Sequence, residues 1–264
     1  MELKICHLYP DVLNLYGDRG NILCMRRRLE WRGIEAEVTE VTVGQRADFT
    51  QFDLFFIGGG QDFEQEVLLR DLSSGKAQDI RTAVEEEKTF LAICGGYQML
   101  GHTLADPDGE ESGTPCTLRG LGLLPTQTTF TAEKRRTQSQ ATVTAEPFAG
   151  AHLTGYEIHT GRTTVQGAPF CTLADGTPEG CVQGQVFGTY LHGLFDSGEL
   201  TEQFAAYLCR RKGIDPAAAA PISMQEYRTQ QLDLLADGVR HNLDLAAVYA
   251  AMGLAQPAER GNDQ

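Results

Sequence analysis

Two short apolar segments that run straight into glycines constrain the fold of this chain more than any other feature. One is FDLFFIGGG at 52–60, and the other is TFLAICGG at 89–96. Strands that are apolar on both faces are typical of the centre of a parallel sheet, which helices cover on each side. The two segments therefore predict an α/β fold in which both glycine clusters lie at the carboxyl edge of the sheet.

The other segments of the first hundred residues continue this alternation. Strands are predicted at 3–8 and 34–41, in addition to the two apolar segments. Helices are predicted at 22–32 with Asn21 as the cap, at 63–87, and from Gly95 onwards. Strands that alternate with helices indicate βαβ units, so the central sheet should be mainly parallel.

The pattern changes after about residue 120, where short strands separated by turn residues predict a β-rich, partly antiparallel part. Helical segments return at 198–212 and at 223–252, the second broken near Gly238 or Asn242. We expect one domain over residues 1–212, followed by a helical extension with a frayed tail over 213–264.

Composition and charge exclude several functional classes. The formal net charge of −14 at pH 7 argues against nucleic-acid binding, which needs a positive surface. No apolar run is long enough to cross a membrane, and MELKICHLYPD lacks the regions of a signal peptide, so we expect a cytoplasmic protein without membrane insertion. The seven cysteines include no C-x-x-C pair, so we expect neither a metal site nor disulfides.

Cys94 has surroundings that the other cysteines lack, because it lies between an apolar strand and the start of a helix. Such a nucleophile elbow exposes a side chain at the carboxyl edge of the sheet, and the helix N-terminus favours a thiolate. Backbone N–H groups at Gly95, Gly59 and Gly60 could hold an oxyanion. A plain tight turn is the alternative for the 58–60 cluster, which lacks G-x-G-x-x-G because Phe63 occupies the last position.

A thiolate that transfers an acyl group needs a base, which is usually histidine. Among six histidines, His192 stands out because QVFGTYLHG places it at the end of a strand-like run, before a glycine. His159 in GYEIHTGRT is the second candidate. A structural or solvent-exposed role is the alternative for either residue.

The motifs AICGGYQMLG and GTYLHG resemble those of class I glutamine amidotransferases of the CobB/CobQ type. KICHLYPDVLNLYGDRGNI and LFFIGGGQDFEQ in the first hundred residues are similar to GatD-type subunits of lipid II isoglutaminyl synthase. In the carboxyl half, GYEIHTGRT and RTQQLDLLADGVRHNLDL are more similar to the amidotransferase domain of cobyric acid synthase. The resemblance implies a flavodoxin-like α/β fold with an antiparallel second half and C-terminal helices.

The resemblance also implies roles for individual residues. Cys94 would be the nucleophile and His192 its base in the hydrolysis of glutamine to glutamate and ammonia. The implied substrate contacts are Gly59, Gly60, Gly95, Gln98 and Arg135, with the adjacent Arg136 as the alternative to Arg135. Many relatives carry a glutamate two residues after the histidine, where this chain has Leu194. We therefore expect a Cys–His dyad or a third acid from elsewhere, and hypothesise that a partner subunit supplies that acid.

The partner implied by the GatD-type resemblance is a Mur-ligase-like synthetase of the MurT type, in a heterodimer. ATP and magnesium are expected on that partner, because this chain contains no G-x-x-x-x-G-K-[ST] motif and no cofactor of its own is expected. Two alternatives stay open. The chain could belong to a cobyric-acid-synthase-like system that amidates corrinoids, or it could be an inactive scaffold subunit.

Overall fold

A computed structural model describes residues 2–14, 16–60, 65–196, 198–215 and 223–254. The chain divides into two compact units, Met1–Pro221 and Ile222–Gln264. The tail over 255–264, for which we predicted fraying, lies outside the described residues. Within the described ranges, no helix is both long and apolar enough to cross a membrane.

The first unit contains fourteen named strands and five named α-helices within its described residues. The strands are β1 (Glu2–Leu8), β2 (Glu35–Val41), β3 (Leu54–Ile57), β4 (Thr89–Ile93), β5 (Thr103–Asp106), β6 (Cys116–Arg119), β7 (Thr126–Thr129), β8 (Arg135–Val143), β9 (His152–His159), β10 (Arg162–Val165), β11 (Cys171–Leu173), β12 (Pro178–Glu179), β13 (Cys181–Gln183) and β14 (Val186–Thr189). The helices are α1 (Arg19–Trp31), α2 (Gln65–Asp71), α3 (Ala77–Glu85), α4 (Gly95–Leu100) and α5 (Glu199–Arg211).

The central sheet has six strands in the order β13-β14-β4-β3-β1-β2. All neighbouring pairs in it are parallel except β13 with β14, which are antiparallel at the edge. Every residue of β3 and β4 is buried, as the apolar segments predict. The predicted mainly parallel α/β sheet is therefore confirmed, and the last residues of β1, β3, β4 and β14 share one edge.

The second half of this unit adds two four-stranded sheets, in the orders β10-β7-β5-β6 and β12-β11-β8-β9. All pairs in them are antiparallel except β5 with β7. The prediction of a partly antiparallel second half is confirmed. A backbone bridge between Tyr156 of β9 and His192 joins one of these sheets to the segment that follows β14.

Two of the predicted helices differ from the structure. The helix predicted at 63–87 is interrupted, because Gly75 has a φ of +146° inside a π-helical turn over Leu72–Lys76. Residues 63 and 64 lie outside the described residues. Asn21 does not cap α1 but lies inside it, and its side-chain oxygen accepts a hydrogen bond from the N–H of Phe195 at 3.3 Å.

Helices α1 and α5 are joined by a partly buried cluster of charges. The Nε of Arg28 lies 2.9 Å from Oε1 of Glu202, and Arg32 contacts the other carboxylate oxygen of Glu202. Helix α1 follows directly after Asp18, and α5 follows the turn that contains His192. The charge cluster therefore helps to hold together the two segments that precede these helices.

The second unit contains helices α6 (Met224–Asn242) and α7 (Leu245–Ala251) in its described part. A capping box between Ser223 and Glu226 starts α6. The side chain of Asp244 caps α7 by accepting a hydrogen bond from the N–H of Ala247. The break between the helices falls next to Asn242, one of the two predicted positions, and α6 continues through Gly238.

Candidate active site

Cys94 lies on a strained turn between β4 and α4. Its φ of +52° and ψ of −113° are unusual for a residue with a side chain, and such strain is concentrated at functional turns. The N–H of Cys94 donates to the carbonyl of Thr189, and the carbonyl of Cys94 accepts from the N–H of Gln98, each at 2.9 Å. The predicted elbow is therefore present, and hydrogen bonds to both the N–H and the carbonyl of Cys94 hold it in place.

The two glycine-bearing strand ends pack directly against each other. The N–H of Gly96 donates to the carbonyl of Gly58 at 3.1 Å. A Cβ atom on Gly59 would lie 2.8 Å from Cβ of Cys94, which is closer than real side chains approach. Glycine is needed at this position because any larger residue would displace the thiol.

The imidazole of His192 is fully buried beside the thiol. A Cβ atom on Gly59 would lie 3.0 Å from Cε1 of His192 and 3.3 Å from Sγ of Cys94, so the two groups flank one glycine. Tyr16 and Tyr156 contact the ring, each with a centroid separation of 5.1 Å. In the described part of the chain, Nε2 of His192 has no hydrogen-bond partner. That nitrogen is therefore available to exchange a proton with the thiol.

Asp18, a residue of this same chain, places a carboxylate next to the imidazole of His192. Its Oδ1 lies 2.9 Å from Nδ1 of His192, and both side chains are fully buried. A buried carboxylate in this position holds the imidazole orientation and tautomer and stabilises the imidazolium form. The acid that we expect from a partner subunit therefore has a candidate within this chain, because Asp18 lies next to Nδ1 of His192.

Asp18 also changes the role expected of Gly59. The N–H of Gly59 donates to Oδ2 of Asp18 at 2.7 Å, so it is not available to an oxyanion. Gly60 and Gly95 remain as candidate N–H donors because the two residues lie close together. A Cβ atom added to Gly95 would be 3.7 Å from the backbone nitrogen of Gly60. The Gly59 N–H differs from the expectation because the loop conformation turns it toward the carboxylate of Asp18.

Gln98, the predicted pocket residue, is fully buried on α4. Its Oε1 accepts a hydrogen bond from Nε2 of Gln65 at 2.6 Å, and its Nε2 donates to the hydroxyl of Tyr190 at 3.2 Å. A cavity of about 260 Å³ lies beyond Tyr190, and Arg135, Glu157 and His159 are among its lining residues. Gln98 therefore connects the helix that begins at the elbow to Tyr190, a residue that lines this cavity.

Arg135 and Glu157 form an ion pair at this cavity, with Nε of Arg135 2.9 Å from Oε2 of Glu157. Burial opposes ionisation of Glu157, yet hydrogen bonds from His159 and Ser139 and the charge of Arg135 hold its pKa below the usual range. Arg136 is exposed and does not line the cavity, so the structure favours Arg135 over its neighbour.

His159, the second candidate base, is occupied elsewhere. Its Nδ1 lies 2.7 Å from the carbonyl of Gly161, and its Nε2 lies 3.4 Å from Glu157. Its ring stacks on Tyr190 with a centroid separation of 3.8 Å. Of the two candidate bases, His192 is the one that flanks Gly59 together with Cys94. No group of three His, Cys, Asp or Glu side chains suited to a metal ion is present among the residues that the structure describes.

Gly59→Ala tests the close packing of this site. We expect the added methyl group to lower kcat for glutamine hydrolysis about tenfold to a hundredfold, because it displaces both Cys94 and His192. Gly20→Ala is the matched control, since a Cβ atom there meets nothing within 4 Å and the residue lies in α1. Steady-state kinetics measure kcat for both variants. Equal kcat values would refute the view that close packing at Gly59 is needed for activity.

Comparisons with known proteins identify the family to which the chain belongs. The model of the CobB/CobQ-like glutamine amidotransferase domain matches residues 4–200. The GatD subunit of lipid II isoglutaminyl synthase (glutamine-hydrolyzing) from Staphylococcus aureus is 36% identical over 225 residues, which cover 81% of this chain and 87% of that subunit. Cobyric acid synthase from Synechococcus elongatus is 40% identical over an alignment 279 positions long, gaps included, which covers 95% of this chain and 56% of that enzyme.

Among solved structures, PurLQS from Thermotoga maritima has a TM-score of 0.55 and 16% identity, covering 78% of this chain and 99% of the matched chain. That likeness concerns the fold alone. The matched family domain includes the three strand-end segments that carry Asp18, Cys94 and His192. On this match, and on its similarity to the GatD subunit, the chain belongs to the CobB/CobQ-like family of glutamine amidotransferases.

Proposed function

We propose that Cys94, His192 and Asp18 hydrolyse glutamine, and that the chain passes the ammonia to a Mur-ligase-like partner which amidates the D-glutamate of lipid II. The observation that carries the first part is that the Cys94 thiol and the His192 imidazole both lie against Gly59, with Asp18 on the other side of the imidazole. The second part rests on similarity to the GatD subunit over most of both chains.

The reaction begins when Nε2 of His192 removes the proton of the Cys94 thiol. The thiolate attacks the side-chain amide carbon of glutamine, and a negative charge forms on the amide oxygen. Backbone N–H groups of Gly60 and Gly95 hold this oxyanion, while Asp18 stabilises the imidazolium form of His192. Fixed donors and acceptors in a buried site need no reorganisation at the moment of reaction.

Ammonia leaves when the imidazolium of His192 returns its proton to the amide nitrogen, and a thioester to Cys94 remains. Water then attacks the thioester as His192 accepts one of its protons. Collapse of the second tetrahedral intermediate releases glutamate and restores the thiol. The net change is glutamine plus water to glutamate plus ammonia, with no cofactor in the balance.

Glutamine carries both an ammonium group and a carboxylate, and the cavity lined by Arg135 and Glu157 offers a partner for each. The guanidinium of Arg135 is suited to the carboxylate and the carboxylate of Glu157 to the ammonium group. Gln98 is hydrogen-bonded to Tyr190, which lines this cavity, and could orient the substrate by its amide group. We therefore place the amino-acid end of glutamine near Arg135.

Arg135→Met tests this placement. We expect KM for glutamine to rise about tenfold to a hundredfold with kcat less affected, because loss of a charged hydrogen bond weakens ground-state and transition-state binding alike. Arg136→Met, at the exposed adjacent position, is the matched control and should leave KM unchanged. If the two variants behaved alike, Arg135 would not contact the substrate.

The acceptor of the ammonia is proposed from the similarity to the Staphylococcus aureus GatD subunit. In this proposal a MurT-type partner binds ATP and magnesium and activates the D-glutamate carboxylate, since this chain has no phosphate-binding motif. A second candidate is corrinoid amidation in a cobyric-acid-synthase-like system. It is favoured by the match to the Synechococcus elongatus enzyme, which covers 95% of this chain and so reaches into its carboxyl end.

Co-purification and amidation assays separate the two candidates. The chain is expressed with a Mur-ligase-like protein and incubated with lipid II, ATP, magnesium and glutamine. We expect a complex and amidated lipid II, and the Cys94→Ala complex should use ammonium chloride but not glutamine. Absence of a complex together with amidation of a corrinoid substrate would support the second candidate instead.

A further inference from the structure

Glu179 is a buried carboxyl group outside the triad. It ends β12, where it pairs with Cys171 of β11, and its backbone carbonyl accepts a hydrogen bond from the N–H of Phe170 at 3.0 Å. Only 6% of the residue is exposed. A glutamate in a two-residue strand is ordinarily solvated, so its burial requires an explanation.

The carboxyl group of Glu179 binds the segment that follows β14. Its Oε1 accepts from the N–H of Tyr190, and its Oε2 accepts from the hydroxyl of Thr189, each at 2.6 Å. The Thr189 hydroxyl oxygen in turn accepts from the N–H of Leu191 at 3.0 Å. Three consecutive residues are therefore held, directly or through one hydroxyl, by a single carboxyl group.

Each end of this segment is connected to a residue that carries a reacting group. The carbonyl of Thr189 accepts the N–H of Cys94 at 2.9 Å, which fixes the elbow. The next residue after Leu191 is His192, whose N–H donates to the carbonyl of Tyr156 at 2.9 Å. A shift of the segment would therefore move the backbone that supports the thiol and the backbone that carries the imidazole.

The hydrogen bonds explain why a costly buried carboxyl group is present. The chain leaves the sheet after Thr189, so the buried N–H groups of Tyr190 and Leu191 have no strand partner, and an unpaired buried donor is unfavourable. The groups that donate to Glu179, which also include the Cys171 thiol at 3.4 Å, are all uncharged. Burial raises the pKa of Glu179, so the position carries an energetic cost.

We propose that Glu179 is a positioning residue for glutamine hydrolysis, which holds the Thr189–Leu191 segment and thereby sets the distance between Cys94 and His192. The inference rests on the proposed roles of those two residues. Glu179 is also among the residues that line the cavity proposed for glutamine, but both of its carboxyl oxygens accept hydrogen bonds from Thr189 and Tyr190, so we assign its contribution to the geometry of the segment.

Glu179→Gln is the first test, because it keeps the shape and replaces one accepting oxygen with an NH2 group. We expect kcat to fall about tenfold to a hundredfold with KM within about threefold of wild type. The rate of Cys94 alkylation by iodoacetamide should fall at least about fivefold. Asp106→Asn is the matched control. This buried carboxylate accepts hydrogen bonds from the backbone N–H groups of Glu110, Glu111 and Ser112. Its loss should lower Tm but not kcat.

Thr189 supplies a second pair of variants if Glu179→Gln does not fold. Thr189→Val removes the hydroxyl that links Glu179 to Leu191 and should lose activity, whereas Thr189→Ser keeps the hydroxyl and should stay near wild type. Wild-type kcat and alkylation in Glu179→Gln, equal kcat losses in Glu179→Gln and Asp106→Asn, or equal activity of the two Thr189 variants would overturn the proposal. If the wild-type chain released no ammonia, the proposed function itself would be refuted. Alkylation of Cys94 needs no glutamine, so it would still test the role of Glu179 in that case.

Discussion

Cys94→Ala is expected to abolish glutamine-dependent ammonia release, by a factor of at least about 10³, because the variant lacks the thiol that forms the thioester. Binding of glutamine should persist, since the proposed contacts at Arg135 and Gln98 are unchanged. Coupled measurement of glutamate and ammonia, with glutamine binding followed by calorimetry, checks both parts of this expectation.

Cys24→Ala provides the matched control for this variant. Cys24 is a half-buried residue on α1, and its removal should leave ammonia release at the wild-type rate. Ammonia release that survived in Cys94→Ala would mean that the strained elbow is not the site of attack.

Asp18→Asn is expected to lower kcat of the isolated chain by about 10² to 10⁴. The asparagine has nearly the same shape, but its NH2 group facing Nδ1 of His192 favours the wrong imidazole tautomer and cannot stabilise the imidazolium. The amide oxygen can still accept the N–H of Gly59, so the loop should keep its conformation. Steady-state kinetics together with thermal unfolding distinguish loss of chemistry from loss of fold.

Asp11→Asn serves as the control in the same loop, because Asp11 is exposed. It should retain wild-type kcat. If Asp18→Asn retained wild-type kcat as well, Asp18 would not be the acid that supports His192.

The elbow and the base could be predicted from sequence because their signals are local. An apolar strand that ends in Cys94 and two glycines indicates a sharp turn, and a His-Gly pair after β14 indicates a second strand end at the same edge. The parallel arrangement of the sheet then brings His192 near Cys94. Strand order was not predicted, because pairing between distant strands leaves no short-range pattern.

Asp18 was missed because its contact with His192 joins residues 174 positions apart. An aspartate just before a helix is also an ordinary cap, so its local pattern favours a structural role. In the structure Asp18 does precede α1, but its side chain makes no capping hydrogen bond and is used by His192 and Gly59. Only the packing of the loop against the strand ends reveals this.

Glu179 illustrates the same limit. The stretch TPEGC contains turn residues around a single glutamate, which indicates an exposed loop. Its burial results from the antiparallel pairing of β11 with β12 and from the course of the chain after β14. Neither feature can be inferred from residues near Glu179, so the contact with Tyr190 is visible only in three dimensions.

We propose that this chain alone carries a complete Cys–His–Asp site that recognises glutamine. Labelling of the isolated chain with the glutamine-analogue electrophile diazo-oxo-norleucine, followed by peptide mass spectrometry, is the decisive measurement. We predict one label per chain, located on Cys94, prevented by excess glutamine, absent from Cys94→Ala and slowed at least about a hundredfold in Asp18→Asn. A wild-type chain that takes up no label, or a Cys94→Ala chain labelled as fast as wild type, would contradict the account.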